Sequence, residues 1–309
     1  MAPESARRQP PTVEEVQSYL HRDRNWGRWG PDDQKGALNL VTDEKRVAAG
    51  ALVRTGRAIS LSRDFPVKPG RPNPIPAHHY MKRYPKGVDA GAAADYYGVL
   101  YHGTTCTHID ALCHMWDGDG MWNGRDPDRE LTFDGSRWGG IDNWADGIFT
   151  RGVLLDVPAH RGVDYVTQDE PIHGWELAEV AEHQGVALEP GDALVVYGGR
   201  ERYDAVNKIP WGATDARPGL HASCLEFIRK SDCCALVWDM MDMLPYGYDL
   251  PFTVHGAIFA YGVALVDNVE LGPLVQECRR QSRFEFLFTV APLRVVGGTG
   301  APVNPIALL

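Results

Sequence analysis

The chain has 309 residues, 44% of them hydrophobic and 23% charged, with a formal net charge of −10. These are globular values, with enough length to bury a sizeable core in one large domain or two small ones. The acidic balance excludes a nucleic-acid backbone as partner, since such binding needs clustered Lys and Arg, and no apolar run approaches the roughly 20 residues of a membrane-spanning helix. The first eleven residues lack the apolar core of a secretion signal and read as a short disordered tail, so a cytoplasmic location is expected. Six cysteines (Cys106, Cys113, Cys224, Cys233, Cys234 and Cys278) form no Cys-x-x-Cys pair. In a reducing compartment they are expected to be small buried thiols, with Cys106 alone a candidate for chemistry.

Residues 12–57 read as two helices joined by a loop holding Trp26, Trp29 and Gly30. Thr12-Val13-Glu14-Glu15 has the form of a capping box, and Thr42 opens a second helix that stops near Gly56. Such an N-terminal helical arm, residues 1–57, is expected to lie across the body of the domain, residues 58–309, or across a neighbouring subunit. Ala58–Ser62 is a strand candidate. Residues 66–92, rich in Pro, Gly and basic residues, read as a long surface loop. The β-branched, aromatic and small residues from Val99 to Thr105 read as a strand running on towards Asp110. Gly152–Val157, Ala193–Tyr197, Ala235–Trp238, Val263–Asp267 and Phe284–Val290 read as further strands. Helices are expected at Trp175–His183, ended by Gly185, at Leu220–Lys230 and at Val254–Tyr261. Apolar strands separated by helices define an α/β domain with a mixed sheet.

The most informative stretch is Thr107-His108-Ile109-Asp110-Ala111-Leu112-Cys113-His114. On a strand, His108 and Asp110 share a face. Imidazole plus carboxylate suits a divalent ion, Zn or Mn. His114 lies beyond the strand and is free to curl back as a ligand or a base. His255 opens a helix and Asp267 ends the following strand, so both are expected at one end of the sheet. Histidines that cluster without a ligand are the bland alternative. No Gly-x-Ser-x-Gly elbow, Walker loop or dinucleotide fingerprint occurs, which argues against a serine α/β-hydrolase and against nucleotide binding.

These residues resemble the cyclase family of metal-dependent hydrolases, which includes bacterial kynurenine formamidase and isatin hydrolase. The family motif has the form His-x-Gly-Thr-His-x-Asp-x-Pro-x-His. Here Thr107, His108, Asp110 and His114 match it, while Thr104, Cys106 and Leu112 stand where the motif has His, Gly and Pro. His255 and Asp267 resemble the family's second ligand pair, His then Glu. The resemblance extends to Trp29–Asn39 and to Gly297–Pro305, and suggests a longer branch with an N-terminal extension. It implies a swivelling β/β/α fold with a mixed sheet, assembled as a homodimer or homotetramer. It also implies metal ligands at His108, Asp110, His255 and Asp267, and a catalytic His114 that shuttles a proton.

Thr104 is a poor ligand for such an ion, so about one ion per chain is expected. His102 and Cys106 have the strand parity of His108 and Asp110, and Gly103 could supply a bulge that brings His102 in as a replacement ligand. His221, at a helix start, is a second catalytic candidate. Trp116 and Trp122, on a Gly-rich loop after the motif, and Trp29 from the arm are candidate walls for a small-molecule substrate. His78 and His79 are expected in solvent, as are His21, His160, His173 and His183. The expected activity is hydrolysis of a carbon–nitrogen bond in an amide, formamide or lactam. Ester or lactone hydrolysis, a metal-dependent cyclase or dehydratase, and a small-molecule binding protein with a structural metal are the alternatives.

Overall fold

The computed structural model describes residues 8–309; of the expected N-terminal tail, residues 1–7 lie outside the described residues. Thirteen strands are present among them: β1 (Ala58–Ser60), β2 (His78–Pro85), β3 (Gly91–Gly98), β4 (His108–Asp110), β5 (Leu131–Thr132), β6 (Gly135–Ser136), β7 (Ile148–Asp156), β8 (Ala193–Tyr197), β9 (Ala235–Trp238), β10 (Ala264–Asp267), β11 (Glu285–Val290), β12 (Gly300–Pro302) and β13 (Ile306–Leu308). Nine of them form one mixed sheet in the order β1-β13-β11-β7-β8-β9-β10-β4-β12. The central four, β7 to β10, run parallel, and every other pairing is antiparallel. The parallel strands are nearly continuous apolar runs because helices cover both faces. Leu154, Val195, Leu236 and Leu265 are all fully buried.

The carboxyl ends of β9 and β10 bring Trp238 and Asp267 to one edge of the sheet. Antiparallel pairing of β4 with β10 then sets His108 directly opposite Asp267. This is the open end at which ligands bind in parallel α/β sheets.

The arm starts as its caps dictate. Thr12 accepts from the Glu15 backbone N–H while Glu15 reaches back to Thr12, and Thr42 accepts from Lys45 N–H. The arm lies on its own domain. Val16 and Leu20 enter the same core as the sheet residues. Asn25 Nδ2 donates to Tyr261 O (3.0 Å), Trp26 Nε1 to Phe259 O (2.6 Å) and Ala37 N to Gly262 O (2.8 Å). Gly36 and Gly262 permit this approach: both have positive φ, and a Cβ on Gly36 would stand 2.4 Å from Gly262 O.

Three expected elements differ. Residues 66–92 are not all loop, because β2 and β3 pair over eight residues as an exposed hairpin. Neither face of that hairpin is buried, so no apolar alternation announced it. The strand before His108 is also absent. β4 has three residues, and 99–107 are irregular backbone with bends around Gly103 at φ 147°. The helix expected from Leu220 begins at Cys224, because Leu220 N is drawn to Met241 O (2.9 Å).

Candidate metal centre

His108 and Asp110 lie on one face of β4 and are each 1% exposed. His108 Nδ1 faces Cys106 O at 2.9 Å. That contact places the proton on Nδ1 and leaves Nε2 as the donor atom, 3.3 Å from Asp110 Oδ1 and 3.9 Å from Asp267 Oδ2. Asp267 Oδ1 accepts from Trp238 Nε1 (2.5 Å), and its Oδ2 lies 3.2 Å from His255 Nε2.

His255 sits in the short turn Val254–Gly256. Asp242 holds that turn by accepting from Thr253 Oγ1 and Val254 N (both 2.7 Å), and its other oxygen pairs with His255 Nδ1. A carboxylate behind a histidine whose far nitrogen faces a second carboxylate is the usual support for a metal-ligating imidazole.

His102 enters from the bends, not along a strand. Its Nε2 meets Thr299 Oγ1 at 2.9 Å, and its Nδ1 lies 2.9 Å from Asp110 Oδ1. His114 stacks on the His102 ring and puts Nε2 3.8 Å from Asp110 Oδ2. These six residues surround a cavity of about 270 Å³, which Met115, Arg217, Met241, Tyr246 and Phe252 also line.

The charges are mutually dependent. Burial opposes a charge on His108, but Asp110, Asp267 and the Cys106 carbonyl outweigh it and push the pKa to about 9. Burial also opposes a charged Asp110; His108, His114 and His102 nevertheless hold it well below the usual carboxylate range. His255 is raised by Asp242 and Asp267 against its burial. His114 moves the other way, down to about 4, through burial and the nearby His102, His255 and His108, against Asp110.

The donor set fits a divalent cation. Both oxygens of Asp110 and Nδ1 of His102 are buried without an aligned hydrogen bond, although Nδ1 stands 2.9 Å from Oδ1. Buried polar atoms are rarely left so, and an ion is one of the few ways to satisfy them. The triads His102/His108/Asp110 and Asp110/His255/Asp267 each keep their donor atoms within 4.8 Å of one another. The imidazole-plus-carboxylate chemistry suits Zn or Mn.

Other expected residues lie elsewhere. His221 is not in the cavity. Its Nδ1 is shared with Ser223 Oγ (3.2 Å) and Ser223 N, and its Nε2 lies 3.3 Å from Tyr248 OH. His173, expected in solvent, packs against it and stacks on Trp175. Cys106 is buried facing away, its Sγ on Thr107 O (3.6 Å) and its pKa pushed by burial up to about 11. With no strand over 99–107, the parity that grouped Cys106 with His108 does not apply. Thr104 borders the cavity but donates to Pro72 O (3.2 Å).

None of the three tryptophans lines the cavity. Trp122 is wholly buried with Nε1 on Asp33 O (3.0 Å), Trp29 packs beside it at 6.0 Å, and Trp116 is 40% exposed. Asp242, Arg217 and Tyr246 went unnoticed in the sequence, where they belong to an irregular stretch without periodicity. The same holds for Arg200 and Asn268. Arg200 donates to Asn268 Oδ1 (2.7 Å) and Thr104 O (2.5 Å), and Asn268 Nδ2 donates to Gly103 O and Cys106 O. Together they hold the bends that carry His102 and His108.

Comparison with known proteins agrees with this architecture. The Cyclase family model, described as "Putative cyclase", matches residues 58–243. The chain belongs to that family. A crystal structure of a novel cyclase is 29% identical, with a TM-score of 0.80, covering 93% of this chain and 99% of that one. An isatin hydrolase bound to the product analogue thioisatinate is 13% identical, with a TM-score of 0.57 and coverage of 87% and 99%. Isatin hydrolase A from Ralstonia solanacearum is 14% identical, with a TM-score of 0.53 and coverage of 86% and 97%. The isatin hydrolases share the fold. No curated protein matches the chain. Among the described residues no helix is long and apolar enough to cross a membrane.

Proposed function

We propose that the protein is a metal-dependent hydrolase that cleaves a carbon–nitrogen bond in an amide, formamide or lactam. One observation carries the reading: the orphaned Asp110 oxygens converge with His102, His108, His255 and Asp267 on a cavity beside a histidine kept neutral. His102 Nδ1, His108 Nε2, Asp110, His255 Nε2 and Asp267 would hold the ion, Zn or Mn. When bound, such an ion polarises a carbonyl and makes water acidic enough to ionise near neutral pH.

Asp242 and Cys106 O fix the tautomers of His255 and His108, so both present the free nitrogen to the cavity. His114, neutral near pH 7, takes a proton from the attacking water and returns it to the leaving nitrogen. Water adds to the carbonyl carbon, the C–N bond breaks, and a carboxylic acid and an amine result. Met115, Met241 and Phe252 exclude bulk water and favour an apolar substrate body.

The test is elemental analysis of protein purified without chelator, followed by a screen of N-formyl amines, lactams and lactones. Turnover of the first two supports the reading. Turnover confined to lactones moves it to ester chemistry, and absence of any bound ion sinks it.

We further propose a homo-oligomer. The β2–β3 hairpin exposes Tyr80, Met81, Tyr84, Tyr96 and Tyr97, and an isolated two-stranded hairpin is at best marginally stable in water. Light scattering of the purified chain tests this, and a monomer at micromolar concentration rejects it.

A further inference from the structure

Arg217 is not itself among the candidate metal ligands, yet it lines their cavity. It lines the metal cavity and also a neighbouring cavity of about 430 Å³ that shares His102, Gly103 and Thr104 with the first. It therefore stands where the two spaces meet. Arg217 is the only Lys or Arg among the described residues around the metal cavity, in a chain whose net charge is −10.

The stem of the residue is fixed and its end is free. Arg217 N donates to Leu244 O (3.0 Å), and Nε donates to Asp242 O (3.2 Å). The guanidinium lies 4.8 Å from the centroid of the Trp211 ring. Among the described residues Nε alone of its side-chain nitrogens makes a protein hydrogen bond, which leaves the two terminal nitrogens to the cavity and its solvent. The nearest acids are committed elsewhere, Asp242 to Thr253, Val254 and His255, and Asp267 to Trp238 and His255. Tyr246 lines the same cavity, and its hydroxyl likewise has no protein hydrogen-bond partner among the described residues. The other lining side chains on this side are Met115, Met241 and Phe252, which offer an anion nothing. In the outer cavity Arg71 adds a second cation, and Asp215 one carboxylate.

A guanidinium held by its Nε on a rigid wall, with its fork unpaired, is built to receive a planar anion. We infer that Arg217, with Tyr246 beside it, binds a carboxylate carried by the substrate, so that the natural substrate is an acidic amide or lactam whose anionic group lies between the metal cavity and the outer cavity. The inference rests on the proposed hydrolase reading only in taking this cavity as the substrate site.

The test uses a matched pair of probes, N-formyl-L-phenylalanine and N-formylphenethylamine, which differ by the carboxylate alone. Binding is measured by calorimetry on the full chain, zinc-loaded and metal-free, because a carboxylate also ligates zinc. The carboxylate probe is expected to bind on the order of 10- to 100-fold more tightly in both forms, the range of a hydrogen bond to a charged group. Arg217→Met should abolish the difference and Arg217→Lys should keep part of it. Equal affinity of the two probes in the unaltered chain, whether both bind or neither does, overturns the inference. So does a preference that survives in folded Arg217→Met. The comparison in the unaltered chain decides the matter even where that variant does not fold. Hydrolysis is read separately: a preference without turnover keeps the anion site and removes formamides from the hydrolase reading, and turnover without a preference keeps the hydrolase reading and overturns the anion site.

Discussion

The imidazoles of His102 and His114 lie face to face, their centroids 3.7 Å apart and their planes 5° from parallel. Both rings are half-buried beside the Asp110 carboxylate. His102 is anchored at Nε2 by Thr299, while its Nδ1 lies 2.9 Å from Asp110 Oδ1 without an aligned hydrogen bond. His114 has no side-chain hydrogen bond among the described residues, and its pKa is pushed down to about 4. In the proposed reaction His102 would join the ligand cluster, and His114 would be the ring that moves a proton.

Removing a central ligand should empty the site. His108→Ala and Asp110→Ala are expected to lose metal by more than the 10- to 100-fold, roughly, that follows loss of a supporting residue. Elemental analysis after dialysis measures this. Full retention of the ion by His108→Ala would reject the assignment.

His114→Ala should behave differently. Acid–base assistance is worth about 10²–10⁴ in rate, so turnover should fall by that order while the ion stays. Metal lost in step with activity would make His114 a ligand.

Thr104 should limit the site to about one ion per chain. Its hydroxyl is engaged by Pro72, and the two ligand triads share Asp110. Mass spectrometry under native conditions gives the stoichiometry. Two ions per chain would mean that both triads fill, with Asp110 bridging.

Metal binding should release a proton. In the metal-free protein the pKa of His108 is raised to about 9, so the ring is protonated at neutral pH, and an ion must displace that proton. Affinity should therefore climb as pH rises, by about tenfold per unit for each proton released, and level off near the raised pKa. Calorimetric titrations between about pH 6.5 and 8 test this, and a flat profile would exclude His108 as the protonated group.

Trp122→Ala should unfold the protein more easily without touching probe binding. Trp122 is fully buried against Trp29 and Gly262. Losing such a side chain costs about 3–5 kcal/mol. Denaturant unfolding measures the loss, and unchanged stability would contradict the packing.

Much of this protein was legible along the chain because it depends on near neighbours. Continuous apolar runs exposed the parallel strands, capping residues marked Thr12 and Thr42, and alternation put His108 and Asp110 on one face. The resemblance to the cyclase motif pointed to His114, His255 and Asp267, which the structure brings to one cavity. What required the tertiary structure was everything set by chain segments that meet from afar. The bend at Gly103, not strand parity, brings His102 to Asp110 and leaves Cys106 outside. His221 stays with Ser223 and Tyr248, because the helix begins three residues after it and its turn is tied to Ile172 by His221 N (2.8 Å). Of the tryptophans that the Gly-rich loop offered as a substrate wall, Trp122 is taken by the core beside Trp29 of the arm, and Trp116 is exposed away from the cavity. Arg217 and Asp242 come from irregular segments, and local sequence carries no signal for which cavity such a segment borders. Only the packing of β9, β10 and β4 decides that.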